Sequence, residues 1–572
     1  MIRVHCLALA CAAGFACVAG AQSVRGPSTL QDPYMLPADP SSGVAFYSLA
    51  SNGNGTSRPD ETFLDLRTGT NTYRFVGIPD GMSVYEASED GPGIFRVVCN
   101  HELGATVGII RAHGNKGSFV SEWQIRKADL SIVGARDLAT TSYLWNTTTD
   151  SWDMYNTATP MPSGWARFCS GDMAAPSAYK FGKFGTDALL HMCGEETGAE
   201  GRAVAHVVTG TGAGATWELP RLGKYSWENS VTNPYSQLKT VHIGTDDSTP
   251  GQVYIYVGTK TDSGNEVQRA GLTNGGLYGV KITGGPCAED RAFALGSTSE
   301  GVVYTKPFEL HSFGDVTELT GAQLQDQSNA NCVINWNRPE DVAWDPTNLK
   351  RAIFCTTDNF AGNSRLWALE FSDIEQTELG GTVTMLADGA VPSTLAGGYI
   401  SANGLTDVRM MDNLAVSRFG QVLIQEDVGN NARLGRLWLY DIAADSMTEI
   451  GISDANSFVT GAAAFLTQDE ETSGIVDAYD IVGPGWWILN MQAHYPSTVE
   501  LVEGGQLLAV YIPETVECAV DFDGDGFVTG TDYDRYVVAF EAGHIGADFD
   551  RDGFVTGLDF DAYVQSFEAG CE

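Results

Sequence analysis

Asp521, Asp523, Asp525, Gly526, Thr529 and Asp532 stand at positions 1, 3, 5, 6, 9 and 12 of one short stretch. Asp548, Asp550, Asp552, Gly553, Thr556 and Asp559 repeat the pattern 27 residues later. Alternate carboxylates on a tight loop converge on one point, and calcium takes about six to eight oxygens from such an arrangement. The glycine at the sixth position allows the sharp turn. Position 12 is Asp rather than Glu in both stretches, and Gly-Phe-Val-Thr-Gly recurs verbatim. Calcium is therefore the expected ligand of both loops.

A second set of acids lies far upstream. Glu340 and Asp341 stand at the entrance of one strand-like segment, with Asp358 after the next. Asp412 stands at another such entrance, with Glu426 and Asp427 after the following one. If these positions open toward one face, their carboxylates repel one another unless cations hold them, so a metal cluster is the economical expectation.

The elements that must position these groups differ between the two regions. Tyr533 to Phe540 and Phe560 to Phe567 are amphipathic and predict a short helix after each loop. From about residue 30 to 515 the chain reads as short strands separated by Gly, Asn, Asp and Ser turns, without long helical periodicity. Val253 to Val257, Leu277 to Ile282, Ala352 to Thr356, Leu366 to Phe371, Val422 to Gln425, Leu437 to Tyr440 and Trp486 to Asn490 are examples. Sandwich, barrel and propeller all fit that pattern. An internal repeat favours the propeller: Asp341 to Asp412 and Arg365 to Arg436 share an offset of 71 residues, with three strands recurring in order between. The fold class predicted is all-β, a β-propeller followed by a small α-helical calcium-loop module. The expected boundaries are 1–21 for a signal peptide, 22–515 for the propeller and 516–572 for the module.

Arg3, an apolar run from Leu7 to Val18, and Ala19-Gly20-Ala21 before Gln22 have the form of a cleavable secretory signal. No other stretch reaches the roughly 20 apolar residues of a membrane span. A secreted protein is expected, periplasmic, extracellular or surface-held. Of 11 cysteines, Cys6, Cys11 and Cys17 leave with the signal, and an oxidising compartment permits pairing among the rest. Cys518 and Cys571 bracket the module and are placed to staple its ends. The formal charge of −39, from 33 basic and 72 acidic residues, excludes nucleic acid and anionic membranes as expected partners.

Two resemblances follow from these residues. The paired loops resemble the dockerin type I repeat pair, which implies two bound calcium ions and a cohesin-like or surface partner. The larger region is similar to the alkaline phosphatases of the PhoX type through an ordered series of motifs. Pro79-Asp80-Gly81-Met82, Asn100-His101-Glu102, Cys169-Ser170-Gly171 and Cys193-Gly194-Glu195-Glu196 come first. Arg338-Pro339-Glu340-Asp341, Asp412-Asn413-Leu414, Glu426-Asp427, Glu471-Thr472-Ser473-Gly474 and Gln492-Ala493-His494 complete it. The resemblance implies six blades, a cluster of Fe3+ and Ca2+ in the channel, and hydrolysis of phosphate monoesters. It makes Cys169 a thiolate ligand, Glu195 or Glu196 and Glu340 cluster carboxylates, and turns Asn100, Glu102, Asp412, Asn413, Glu426 and Glu471 toward the metals. Arg338 would hold the phosphate through paired guanidinium donors, making Arg338, Glu340 and Cys169 the expected catalytic set. On the residues alone, a disulfide between Cys169 and Cys193 stands as the alternative. A calcium-stabilised adhesion protein and a propeller phytase or lactonase stand as alternatives.

Overall fold

The computed structural model describes residues 23–53, 58–289, 305–522 and 527–570. The expected signal segment, Asp523, Asp525 and Cys571 lie outside these residues. Six strands pack side by side in a closed ring: β1 (Pro79–Tyr85), β2 (Phe168–Asp172), β3 (Trp227–Thr232), β4 (Pro339–Trp344), β5 (Met411–Val416) and β6 (Asp469–Asp477), with β6 returning to β1. β1 to β5 are each an edge strand from which a sheet runs outward, whereas β6 pairs on one side with Trp486–Pro496 and, at its start, with Gln421–Asn430. The fourth sheet, for example, continues through Arg351–Thr356, Arg365–Phe371 and Gly381–Asp388. The architecture is propeller-like, in keeping with the strand-and-turn pattern of the sequence.

Sheets buried on both faces need apolar residues at consecutive positions rather than alternate ones. The run Ala352-Ile353-Phe354-Cys355 is of this kind, and all four side chains are fully buried. Ile353 and Cys355 face the fifth sheet, where Leu414, Ile424 and Trp438 meet them. Phe354 faces the third sheet, against Ile243, Ile255 and Trp336. Comparable apolar layers fill the gap between every adjacent pair of sheets around the ring. The ring is closed by the two ends of the chain: Ala45–Ser51 pairs antiparallel with Glu503–Tyr511 in the sixth sheet. Cys287 and Cys332 form a disulfide across an insertion on the outside of the third sheet.

The internal repeat marks successive sheets, with a correction. Arg365 and Arg436 each begin the third strand of the fourth and fifth sheets. At the inner strands, however, Pro339 pairs Thr356 and Val342 pairs Phe354, while Met411 pairs Glu426 and Leu414 pairs Ile424. Asp412 therefore corresponds to Glu340, and Asn413 to Asp341. A slip of one residue reverses which side chain faces the channel.

Two helices follow the rim of the ring, α1 (Gly530–Glu541) and α2 (Gly557–Ala569). Both begin earlier than their amphipathic cores because Thr529 and Thr556 cap them, each in a reciprocal box with Asp532 or Asp559. Tyr536 stacks on Tyr563 with ring centroids 3.6 Å apart, joining the two helices.

Candidate functional site

Five of the six inner strands carry the same irregularity near their first residues. Between Pro79 and Met82, Phe168 and Gly171, Trp227 and Ser230, Pro339 and Val342, and Met411 and Leu414, the inner strand spends one residue more than its partner. Such bulges re-aim a side chain that a regular strand would bury between sheets. The first extra residue is in turn Asp80, Cys169, Glu228, Glu340 and Asp412, and these five meet at one end of the channel.

Their ligand-type atoms form overlapping trios. Asp80, Glu102 and Cys169 offer one atom each within 4.8 Å of one another, as do Cys169, Glu196 and Glu228, and again Glu228, Glu340 and Asp412. Cys169 and Glu228 are the shared members. Glu471 joins through Gln492, whose amide Nε2 donates to Asp80 Oδ2 at 2.8 Å and to Glu471 Oε1 at 3.2 Å.

The second bulge residue does structural work. Asn229 donates to the Asp341 carboxylate and to the carbonyl of Val342, Asp341 Oδ2 accepts from the amide of Leu414 at 2.9 Å, and Asn413 donates to the Ser170 hydroxyl. This lower tier ties neighbouring inner strands together, and its Asn413–Ser170 bond reaches across the channel from β5 to β2. Gly81 is required here, since a Cβ would fall 2.1 Å from the Gly171 nitrogen.

Two arginines border the cluster, both with a left-handed backbone, φ 46° at Arg167 and 57° at Arg338. Arg338 Nε and Nη2 reach the Asp247 carboxylate at 2.7 and 3.0 Å, and Nη2 lies 2.9 Å from Glu340 Oε1. Arg167 pairs with Glu102 at 2.7 Å and with Glu196. Arg167, Asp80, Glu228 and Asp247 are absent from the residue set expected of the sequence. The signal for Glu228 is Trp227-Glu228-Asn229-Ser230, which has the form of Pro339-Glu340-Asp341-Val342: an apolar residue, the projecting group, a small or polar residue, then the strand.

Other expected residues sit differently. Glu195 is held by Arg202 and by the amide of Ala166, pointing away from the trios. Glu426 accepts from Arg433 and from the indole of Trp438 at 2.9 Å. Asn100 has both ends of its amide engaged, donating to the Cys169 carbonyl at 2.7 Å and accepting from His191 Nε2 at 3.0 Å. It positions the Cys169 backbone. Asn413 leaves its Oδ1 buried and unpartnered. Cys169 and Cys193 are both free, buried thiols, which removes the disulfide alternative.

Burial is the main cause that pushes the Asp80, Glu228, Glu340, Asp412 and Glu471 carboxyls well above the usual range, with mutual repulsion adding to it. Burial likewise raises the Cys169 thiol and brings Asp341 to about 7. Asp80 Oδ1 and Glu228 Oε1 are buried without a hydrogen-bond partner. Orphaned oxygens, crowded carboxylates and one thiol form a donor set that fits divalent or trivalent cations. In cation-free protein these raised carboxyls make stability greatest below their unfolded values, near pH 4. That stability is lost as pH rises through the folded values, about 7 in the case of Asp341. Thermal unfolding in chelator should therefore show the midpoint falling from pH 5 to pH 8, and excess calcium should flatten that fall. A midpoint that rises with pH in chelator would contradict the repulsive cluster.

In the second C-terminal loop, Asp548, Asp550 and Asp559 bring oxygens within 4.8 Å of one another. Asp548 is buried, and its Oδ1 has no partner. Asp552 instead accepts from the amide of Phe554 at 2.8 Å. Thr529 and Thr556 use their hydroxyls to cap α1 and α2. In the first loop, Asp532 accepts from the amide of Thr529 at 2.7 Å. Cys518 is disulfide-bonded.

Comparison places the chain first by fold. It is similar to Pseudomonas fluorescens PhoX in complex with vanadate, with a TM-score of 0.58 at 13% identity over 87% of this chain and 98% of that one. Lower similarities include the gluconolactonase XC5397 from Xanthomonas campestris (TM-score 0.26, 10% identity, 77% of this chain and 97% of that one). Chaetomium thermophilum Sqt1 gives TM-score 0.31 and 7% identity over 76% of this chain and 95% of that one. The sequence then narrows it: residues 215–473 match the family model for alkaline phosphatase PhoX. No curated relative matches.

Proposed function

We propose that the protein is an exported, metal-dependent phosphatase of the alkaline phosphatase PhoX kind, a phosphoric monoester hydrolase built on a six-bladed propeller over residues 22–515. The observation that carries this reading is the set of five bulged inner strands, which present Asp80, Cys169, Glu228, Glu340 and Asp412 together beside Arg338. The family match over 215–473 covers three of those five residues. The apolar segment before Gln22 supports export, and the paired loops of 516–572 support two further calcium ions.

Cys169 with Glu196 and Glu228 would hold ferric iron, because a thiolate among carboxylates favours a transition metal. The oxygen-only donors Asp80, Glu102, Asp412 and Glu471 would hold calcium. When bound, these ions supply charge stabilisation for the phosphoryl oxygens and an oxygen nucleophile active near neutral pH. The chain's own groups do the remainder. Arg338 presents its guanidinium at the rim, held by Asp247, and can transfer donors to the substrate phosphate. Arg167 sets a second positive charge across the cluster. Asn100 fixes the backbone that carries Cys169, and the lower tier of hydrogen bonds keeps the carboxylates from relaxing apart.

A chromogenic phosphate monoester tests the proposal. Protein loaded with calcium and iron should hydrolyse it, chelation should abolish turnover, and elemental analysis should find both metals. Absence of turnover in fully loaded protein would sink the enzyme reading.

A further inference from the structure

The C-terminal unit does not hang free of the propeller-like ring. Its second loop is pressed against it. Asp552 O accepts from the amide of Ser177 at 3.3 Å, and Phe549 O accepts from Arg418 Nη2 at 3.3 Å. The Arg418 guanidinium lies over the rings of Phe549 and Tyr479, at 5.6 and 5.0 Å. A Cβ on Gly553 would fall 1.6 Å from the Ser177 hydroxyl, so the loop and ring meet without a gap. On the connecting segment, Tyr479 donates to Glu517 O at 2.9 Å, and Gln421 donates to Glu514 O at 3.0 Å. The loop itself joins the two charge systems. Arg551 stands between Asp548 of its own loop and Asp477 and Asp480 of the ring.

The groups that touch the ring are thus interleaved with those that converge on the loop's centre. Phe549 and Asp552 offer carbonyls outward, while their neighbours Asp548 and Asp550 point inward with Asp559. Three carboxylates at this separation repel, and Asp548 Oδ1 has no partner. A cation at the centre closes the loop and, with it, fixes the two outward carbonyls. We infer that calcium in the second loop clamps the C-terminal unit onto the propeller, so that this face is an intramolecular docking surface and cation binding and docking are one coupled event. The inference rests on the calcium reading of that loop.

Coupling of this kind is reciprocal: whatever calcium adds to docking, docking adds to calcium affinity. Both directions are measurable on the full chain. Hydrogen exchange should show the ring segments 176–180, 417–421 and 477–481 protected in calcium and exposed in chelator. Asp548→Ala in calcium should expose the same segments, whereas Asp521→Ala, in the first loop, should leave them protected. That contrast separates the second loop from any other cation in the chain. From the ring side, Ser177→Trp obstructs the contact while leaving the loop's own residues unchanged. It should weaken the calcium step that Asp548→Ala removes by about 10-fold, within the usual range of coupling between sites, while phosphatase turnover stays at the wild-type level. If calorimetry finds no calcium step that Asp548→Ala removes, the loop reading fails and the clamp with it. If the step is present but the ring segments exchange equally with and without calcium, or Ser177→Trp binds calcium with unchanged affinity, the loop reading stands and the clamp is overturned.

Discussion

Glu228→Gln is expected to lower phosphomonoester hydrolysis by about 100- to 1,000-fold, the scale of one lost charged contact at a reacting centre, and to reduce bound metal in elemental analysis. Glu228 is shared by two of the three carboxylate trios, so its loss divides the cluster rather than trimming an edge. The amide keeps the shape of the side chain, which limits the change to charge and donor strength. A distinctive signature accompanies the loss. In chelator the variant should unfold at a higher temperature than the wild type, because a buried, repelled carboxyl has gone. With metals present the order should reverse. A variant that keeps its metals and its rate would remove Glu228 from the centre.

Arg338→Ala should reduce kcat/KM by about 30- to 1,000-fold, equivalent to about 2–4 kcal/mol of lost transition-state stabilisation, while metal content stays at the wild-type level. Arg338 donates to Asp247 and lies beside Glu340, and a guanidinium has no lone pair to offer a metal. Its contribution is therefore to the substrate's charge. Arg338→Lys keeps the charge but loses the paired donors, and it should recover only part of the rate. The rim position matters to this expectation, since a guanidinium locked deep in the cluster could not turn to a phosphate. Loss of metal from Arg338→Ala would show instead that the arginine serves to neutralise Asp247 and Glu340.

The two acidic regions were not equally legible. The C-terminal loops are contiguous, so ligand positions and turn glycine can be read from one stretch, although the first loop lies partly outside the described residues. The channel site is assembled from strands hundreds of residues apart, and there the reading depends on register. Glu340 and Asp412 stand out as acids at strand entrances. The 71-residue repeat nevertheless aligned Asp412 with Asp341, because turn lengths differ between the two sheets: Arg365 and Arg436 are 71 residues apart, but the inner-strand equivalents Pro339 and Met411 are 72 apart. Asp341 went to the lower hydrogen-bonded tier as a result. Glu426 looked equivalent to a channel acid, but it lies on the second strand of its sheet, where Arg433 and Trp438 claim it. Glu228 was missed because it lies outside the 71-residue repeat; only its apolar–acid–polar spacing matches Pro339-Glu340-Asp341 and Met411-Asp412-Asn413.

Closure of the ring by Ala45–Ser51 against Glu503–Tyr511 bears on the order in which this protein can mature. The strand that completes the last sheet is made long before its partner. Until synthesis passes residue 511, β6 has no finished sheet behind it and cannot be fixed beside β1, so Glu471 and Asp80 have no reason to meet. Partial chains would lack the side of the centre where Asp80 and Glu471 meet, and completion of the cluster becomes a late event that only a closed ring can undergo. Ala45–Ser51, which waits for Glu503–Tyr511 with only Ser23–Arg25 beside it, is the segment a chaperone would have most cause to hold.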